Sequence, residues 1–441
     1  MAKKNVLIIG AGGVAQVTAH KVAQWAAEFG DLHIANRTQA KADAIIQSLR
    51  EKGHDMAWTS HALDAMDADA VEALIRQVDA GIVINVGTAF INMTVLEGCI
   101  RAGAAYIDTA IHEDPAKICE TPPWYGNYEW KRREDVAKAG ITAIHEDPKK
   151  VCETPPWYGN YEWKRREDVA KAGITAILGA GFDPGVVNAY ARLAEDEYFD
   201  KIDSIDIVDI NAGSHGRYFA TNFDPEINFR EFTGTVYSWQ NGAWQENRMF
   251  EVGREWDLPV VGKQTAYLSG HDEVHSLSAR YKDADVRFWM GFGDHYINVF
   301  TVLQNLGLLS EQPVKTAEGL EVVPLKVVKA VLPDPASLAP DYQGKTCIGD
   351  LVKGTRGGKP GEVFIYNVAD HKEAYQEVGS QGISYTAGVP PVAAAILIAR
   401  GPWDVRKMAN VEDLPARPFL ELLGELGLPT RVIDATGDHP L

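Results

Sequence analysis

Cysteine is scarce in this chain: the 441 residues hold four, Cys99, Cys119, Cys152 and Cys347, and two of these are copies of one another. No disulfide framework and no CxxC metal motif can organise the fold, and no metal site is expected. Positive charge is also short. Forty-three basic against 61 acidic residues leave a formal charge of −18, which argues against nucleic acid or an anionic membrane as the main partner. A cationic small molecule would instead be steered in. The opening Met1-Ala2-Lys3-Lys4 and its apolar run imitate a signal peptide, but the run breaks at Gly10 into a glycine-rich turn, so the expectation is a strand and a cytoplasmic protein. What the chain does have, 46% apolar residues with 40 Gly and 22 Pro, suits a normal globular core, and its length calls for two domains.

Residues 5–9 (NVLII) read as a parallel strand buried on both faces. Gly10-Ala11-Gly12-Gly13-Val14-Ala15 follows at once, and Val14, Val17, Val22, Trp25 and Phe29 then recur at helical spacing up to Gly30. Strand, glycine turn and helix stand in the order of a dinucleotide fingerprint. Gly10 permits the tight turn, Gly12 lets backbone approach a pyrophosphate, and Ala15 allows close packing of helix on strand. The second strand (32–35) ends in Asn36-Arg37-Thr38, where an NAD site usually carries a carboxylate for the ribose hydroxyls. An arginine and a hydroxyl there, with Lys41 one turn on, suit a 2′-phosphate, so NADP is the expected cofactor. The βα rhythm continues through a strand at 81–86, ending at Val86-Gly87, and another at 105–111, carrying Asp108 and Thr109. Gly10, Asn36, Gly87 and Asp108 should therefore share the carboxyl edge of a doubly wound parallel sheet, the ligand-binding edge of such folds.

Residues 109–141 and 142–174 are tandem copies that differ only at Ala116 versus Lys149 and Ile118 versus Val151. Two copies are too few for a solenoid and read as a segmental duplication. Three outcomes preserve the local pattern: the first copy bulges out, its strand at 140–144 replaces 106–111, or the sheet gains a βα unit. The second copy runs directly into the downstream motif and is favoured for the native slot, which would bring Trp157 and Tyr158 to the cleft.

That motif, Gly179-Ala180-Gly181-Phe182-Asp183-Pro184-Gly185, reads as a tight strand-to-helix turn close to bound ligand, with Gly181 and Phe182 beside the cofactor. From residue 201 onward alternating and β-rich stretches at 201–208, 235–239, 266–268, 286–290 and 362–368 imply an open, mostly antiparallel sheet. An apolar helix at 392–399 should return to the nucleotide-binding domain, followed by a peripheral cap. The expected organisation is a Rossmann-type domain over 1–180, an inserted α+β substrate and dimerisation domain over 181–382, and a returning segment over 383–441.

GAGGVA, IANRT, CIRAGAAYIDTA, HEDPKKVCETPPWYGNYEW, GAGFDPGVVNAYA, NAGSHGRYFATNFDPEINFRE and SYTAGVPPVAAA together resemble the saccharopine dehydrogenase-like reductases across nearly the whole chain. The duplication is the departure. The resemblance implies NADPH-dependent reduction of the imine formed between aspartate β-semialdehyde and 1,3-diaminopropane or putrescine, in polyamine synthesis, by a homodimer. Such chemistry needs a proton donor that keeps the imine cationic, since hydride adds faster to an iminium. His215, in a Ser-His-Gly turn, is the first candidate and Asp183 the second; a backbone-bonded turn histidine and a helix-capping aspartate are the alternatives. The distal ammonium requires a carboxylate, for which Asp224, Glu226 and Glu231 are available. The α-carboxylate requires a guanidinium, Arg217 or Arg230. Trp157 and Tyr158 could wall the methylene chain. A saccharopine-type reductase acting on an amino-dicarboxylate and a catalytically silent NADP-binding protein are the competing readings.

The cofactor assignment yields a measurable outcome: Arg37→Ala should lower the ratio of NADPH to NADH affinity by about 10- to 100-fold, the size of a lost charge-assisted contact. An unchanged ratio in binding titrations would remove Arg37 from the site.

Overall fold

In this computed structural model the described residues are 3–54, 56–112, 160–232 and 235–441. Trp157 and Tyr158, and the whole stretch 113–159, lie outside them. So do the side chains of Arg230 and Glu231, whose backbone sits in a helix.

The first sheet is parallel and runs β17-β6-β5-β4-β1-β2-β3. Its strands are β1 (Asn5–Ile9), β2 (Leu32–Asn36), β3 (Trp58–Ala62), β4 (Ala80–Asn85), β5 (Ala105–Asp108), β6 (Ala176–Leu178) and β17 (Met408–Asn410). Alternate residues of β1 feed opposite layers. Val6 and Ile8 join the core under the helices Gly13–Gln24 and Pro390–Arg400, while Leu7 and Ile9 join the core under Ala68–Gln77 and Asn92–Ala102. A strand buried on both faces must be apolar throughout, which is why β1 shows no alternation.

The second sheet is mixed and follows the path β10-β11-β12-β7-β15-β16-β18-β19, with β8 and β9 paired at its side. Its strands are β7 (Lys201–Asn211), β8 (Thr235–Gln240), β9 (Ala243–Arg248), β10 (Gly253–Leu258), β11 (Gly262–Ser269), β12 (Asp285–Gly291), β15 (Lys345–Arg356), β16 (Lys359–Asp370), β18 (Arg431–Asp434) and β19 (Gly437–Pro440); β13 (Val314–Lys315) and β14 (Glu321–Val322) form a separate hairpin. The helix Val186–Leu193 packs on β15, so that Ile205, Ile207, Ile348 and Val352 belong to the same hydrophobic cluster as Val6 and Ile8. One core thus joins both sheets.

Three expectations change. The alternation at 201–208 suggested an antiparallel strand with an exposed face, but β7 is central, parallel to β12 and antiparallel to β15, and buried at most positions because the sheet is covered on both sides. The strand carrying Asp108 stops there, and 109–112 peel away as loop. The tail is no peripheral cap. Residues Met408–Asn410 extend the first sheet beside β6, β18 and β19 extend the second, and the helix Ala416–Glu425 buries Phe419, Leu420, Leu422 and Leu423. At about 1.5–3 kcal/mol for each large apolar side chain taken from water, those four alone exclude a loosely attached tail. The stretch Gly382–Arg400, apolar enough to cross a membrane by length and composition, is 78% buried within this fold.

The strand that pairs with β5 is the one following the second copy, with Tyr106 opposite Ala176 and Ile107 opposite Ile177. The second-copy helix Arg166–Ala172 lies against Asn92–Ala102 and buries Val169 completely. Among the described residues no strand intervenes. Deleting 109–141 would join Asp108 to Thr142-Ala143-Ile144-His145, which repeats Thr109-Ala110-Ile111-His112. The shortened chain should therefore fold, with a thermal midpoint within a few degrees of the parent's; failure to express as a folded protein would show that the first copy carries structure of its own.

Candidate functional site

The carboxyl ends of β5, β4, β1 and β2 stand side by side, with Ile9 opposite both Asn85 and Ala35 and Asn85 opposite Asp108. Gly10 leaves β1 with φ +126°, and a Cβ there would lie 2.7 Å from the Val86 carbonyl oxygen, so only glycine fits between the two strand ends. Gly12 faces open space and is the N-cap of Gly13–Gln24, with no side chain satisfying the amides of the first turn. Gly13 presses on Ser384, the first contact between this turn and the returning segment. Ala11 and Val14 are partly buried beside them. An uncapped helix amino terminus behind a glycine that leaves room is a seat for a pyrophosphate.

The tip of β2 is built in the same way. The Asn36 amide donates to the Thr38 carbonyl oxygen at 3.0 Å, Thr38 caps Gln39–Glu51 without a side-chain hydrogen bond, and Arg37, Thr38 and Lys41 are all exposed. Two cationic side chains and a second uncapped helix start fit a 2′-phosphate. At β4 the Asn85 side chain accepts from Gly87 N at 3.2 Å and donates to Asn92, whose amide donates to the Ala110 carbonyl oxygen, holding the loop after β5. Val86 is buried and Gly87 exposed at the edge.

Asp108 is 1% exposed, and its carboxyl does not face the cleft directly. It accepts from Gly179 N at 2.6 Å and from the Tyr106 hydroxyl at 2.8 Å, so it ties the end of β5 to the glycine turn at 179–185. That turn is closed tightly: Gly185 has φ +139°, and Gly181 backs onto the Thr109 carbonyl oxygen. Phe182 turns into the core at 1% exposure, and Asp183 is left at the opening, half-buried.

Asp183 meets Asp209 of β7 through a carboxyl–carboxyl hydrogen bond in which Asp183 donates. Burial first, then the charge of Asp209, pushes the Asp183 carboxyl well above the usual carboxylate range, towards its protonated form. Burial raises Asp209 to about 6, and raises Asp272 to about 6. Asp272 accepts from Ile111 N at 3.0 Å, which brings the loop after β5 to the same place. Beside it Glu273, fully buried, accepts from His271 at 2.6 Å, and the His271 ring stacks on Phe288 with centroids 4.2 Å apart. None of Asp209, His271, Asp272 or Glu273 was singled out in the sequence. The signal was there: β7 carries acids at 203, 206 and 209, every third residue in a strand whose faces alternate every second, so acid must point to both sides.

The other expected residues take different places. His215 is half-buried, stacks edge-on against Tyr342 with centroids 5.4 Å apart, and accepts from Arg217 N at 3.1 Å; burial first, then His295, holds it below the ordinary imidazole value. Tyr342 lies flat on His371 at 3.8 Å, and its hydroxyl bridges Asn211 and Asn222. Arg217 is exposed. Asp224 and Glu226 are both engaged by Lys329, at 3.0 and 3.1 Å, and Asp224 also caps the helix Pro225–Phe232 through Glu226 N. The two carboxylates share the one Lys329 ammonium.

The raised acids have a consequence for stability. A carboxyl that titrates near 6 when folded and near 4 when unfolded binds its proton more tightly in the native state, so its contribution is present at acid pH and lost as pH rises from about 4 to about 6. Asn at position 209 keeps an acceptor for the Asp183 proton without the buried charge. Asp209→Asn should raise stability by about 1–3 kcal/mol at pH 7.5 and have little effect near pH 4. Denaturant midpoints at the two pH values measure this; an equal effect at both would remove the buried charge as the cause.

Comparison with known proteins agrees with this geometry. Residues 6–144 match the saccharopine dehydrogenase NADP binding domain and residues 181–428 the saccharopine dehydrogenase C-terminal domain. Carboxynorspermidine synthase of Vibrio alginolyticus is 41% identical over 440 residues, covering 99% of this chain and 98% of that one. The protein of the same name from Vibrio cholerae is 41% identical over 441 residues, with the same coverage. Carboxyaminopropylagmatine dehydrogenase of Synechocystis sp. is 38% identical over 426 residues, 96% of each chain. Among solved structures, apo saccharopine dehydrogenase (L-Glu forming) from Saccharomyces cerevisiae shares the fold at a TM-score of 0.67 with 14% identity, covering 98% of this chain and 100% of that one. The chain belongs to the saccharopine dehydrogenase family and is an oxidoreductase built around an NADP-binding domain.

Proposed function

We propose that this enzyme reduces the imine formed from aspartate β-semialdehyde and a diamine, 1,3-diaminopropane or putrescine, to the secondary amine carboxynorspermidine or carboxyspermidine. The observation that carries the reading is the gathering of Asp183, Asp209, Asp272 and Glu273 beside the loop that follows β5, a group of acids suited to a cationic substrate. The relatives named carboxynorspermidine synthase support the same substrate class.

NADPH, when bound, supplies the hydride. The turn at Gly10–Val14, with Val86, Gly87 and Thr109 along the edge, holds its pyrophosphate and nicotinamide, and Arg37, Thr38 and Lys41 its 2′-phosphate. Asp183 gives its proton to the imine nitrogen as the carbon becomes a methylene, so the C=N bond takes up one proton and one hydride and Asp183 is left ionised. Asp183 is preferred over His215 because burial pushes the carboxyl towards its protonated form and the imidazole away from its own. His215 instead braces the loop at 212–222 against Tyr342. Arg217, exposed on that loop, is the guanidinium partner for the α-carboxylate; the roles expected of Arg230, Glu231, Trp157 and Tyr158 fall outside what is described. The enzyme acts as a cytoplasmic homodimer on small molecules, with no nucleic acid or membrane partner, a reading supported by the net charge of −18.

NADPH oxidation with aspartate semialdehyde and each diamine tests the reaction, with agmatine as a parallel arm prompted by the Synechocystis relative. Turnover is expected with at least one diamine, and Asp183→Asn should lower kcat by about 100- to 10,000-fold, the range of general acid catalysis. Turnover confined to lysine- or glutamate-derived partners would favour the saccharopine-type reading, and tight NADPH binding without turnover the silent one.

A further inference from the structure

The strand β7 carries two acids three residues apart on opposite faces, Asp206 buried and Asp209 half-buried, and only one of them is neutralised. Asp206, 2% exposed, receives Arg287 at 2.6 and 3.0 Å, the Trp289 indole at 2.9 Å and Arg254 at 3.8 Å. Asp209, on the face towards the glycine turn, has no such partner. Among the described residues no lysine or arginine forms an ion pair with Asp183, Asp209, Asp272 or Glu273. The basic side chain acting on the first three is His271, which Glu273 already engages through one carboxylate oxygen.

Two acceptors are left over. Glu273 is 0% exposed, and its Oε1 has no hydrogen-bond partner; the Asp209 Oδ1 is likewise buried and unpartnered. Asp183, Asp209 and Asp272 are each only half-buried, so the group opens to solvent and is not sealed into the core. Orphaned carboxylate oxygens carry a large desolvation cost unless a cation is there to donate to them. A primary ammonium, with three donors on a compact head, matches two free carboxylate oxygens better than a planar guanidinium does.

We infer that Asp209 and Glu273 form the site for the distal ammonium of the amine substrate, in place of Asp224 and Glu226, which already share the Lys329 ammonium. This rests on the reaction proposed above and adds its specificity: the enzyme selects amines that carry a second cation at the far end of the chain. The proton donor Asp183 and the ammonium site are then neighbours. A diamine that bridges them presents its imine nitrogen to one and its free ammonium to the other.

Propylamine, which has the same three carbons without the second ammonium, is the probe. In the parent enzyme kcat/KM with 1,3-diaminopropane should exceed that with propylamine by at least about 100-fold. Glu273→Gln should raise KM for the diamine by about 10- to 100-fold, leave the propylamine value and NADPH affinity within twofold, and so shrink the ratio by the same factor. Asp209→Asn also alters the partner of the Asp183 proton and so lowers kcat with both amines, but the diamine should lose more than propylamine and the ratio should shrink again. Losses equal for both amines, or a ratio unchanged in both variants, would overturn the site. If the parent turns over neither amine, the reaction reading fails by itself, and calorimetric binding of the two amines to the NADP-loaded protein decides the site. Diamine binding that weakens in both variants while propylamine binding does not supports it, and equal binding of the two amines overturns it.

Discussion

The carboxyl group of Asp108 receives Gly179 N and the Tyr106 hydroxyl, and the carbonyl oxygen of the same residue receives Ala180 N at 2.7 Å. Through these three bonds the end of one parallel strand fixes the turn that leaves its neighbour, and with it the position of Asp183. A chain making this crossing has to pass from a parallel sheet to a helix within a few residues, which Gly179, Gly181 and Gly185 allow by conformations and close approaches that a side chain would block. The rest of the site is arranged around that point. The loop after β5 reaches Asp272 through Ile111 N and Glu162 through His112 N, and β7 supplies Asp209 from the other sheet. Glu162 belongs to the second copy of the duplicated segment, so the repeat takes part in holding the edge on which the site stands.

Burying this many carboxyls works against folding. Burial raises Glu162 and Glu412 to about 7, and Asp350 sits at 0% exposure on the same face of the second sheet as Asp209, pushed up by burial and then by the charges of Glu273 and Asp183. Each prefers its neutral form, and the native state gives up stability wherever one must ionise. Such costs collect where function needs them. The reaction proposed above asks for a carboxyl that stays protonated beside others that stay charged. The single hydrophobic cluster running from β1 through the helix Val186–Leu193 to β15 supplies the offset.

The dinucleotide half was legible because its chemistry is local. The strand, the glycine turn, the helix and the tip of the next strand lie within 41 consecutive residues, and the steric demands on Gly10 follow from contacts that any such turn makes. The family was legible for a related reason: several short segments, from GAGGVA to SYTAGVPPVAAA, keep their order over almost the whole chain. The acid site was not. Asp183, Asp209, Asp272 and Glu273 come from three separate segments, and which acids stand uncompensated depends on where arginines and lysines fall across the sheet. Asp224 and Glu226 looked free in sequence because Lys329, their partner, is about a hundred residues away.

The amino-acid order by itself therefore determined the parallel sheet, the cofactor edge, the duplication and an acidic character that favours cationic ligands, since these follow from short-range pattern and composition. Only the tertiary structure decided which strand pairs with β5, that the last forty residues complete both sheets, and which carboxyls remain without a counter-ion. Strand pairing and burial are properties of residues far apart in the chain, and charge compensation is a property of the faces they create.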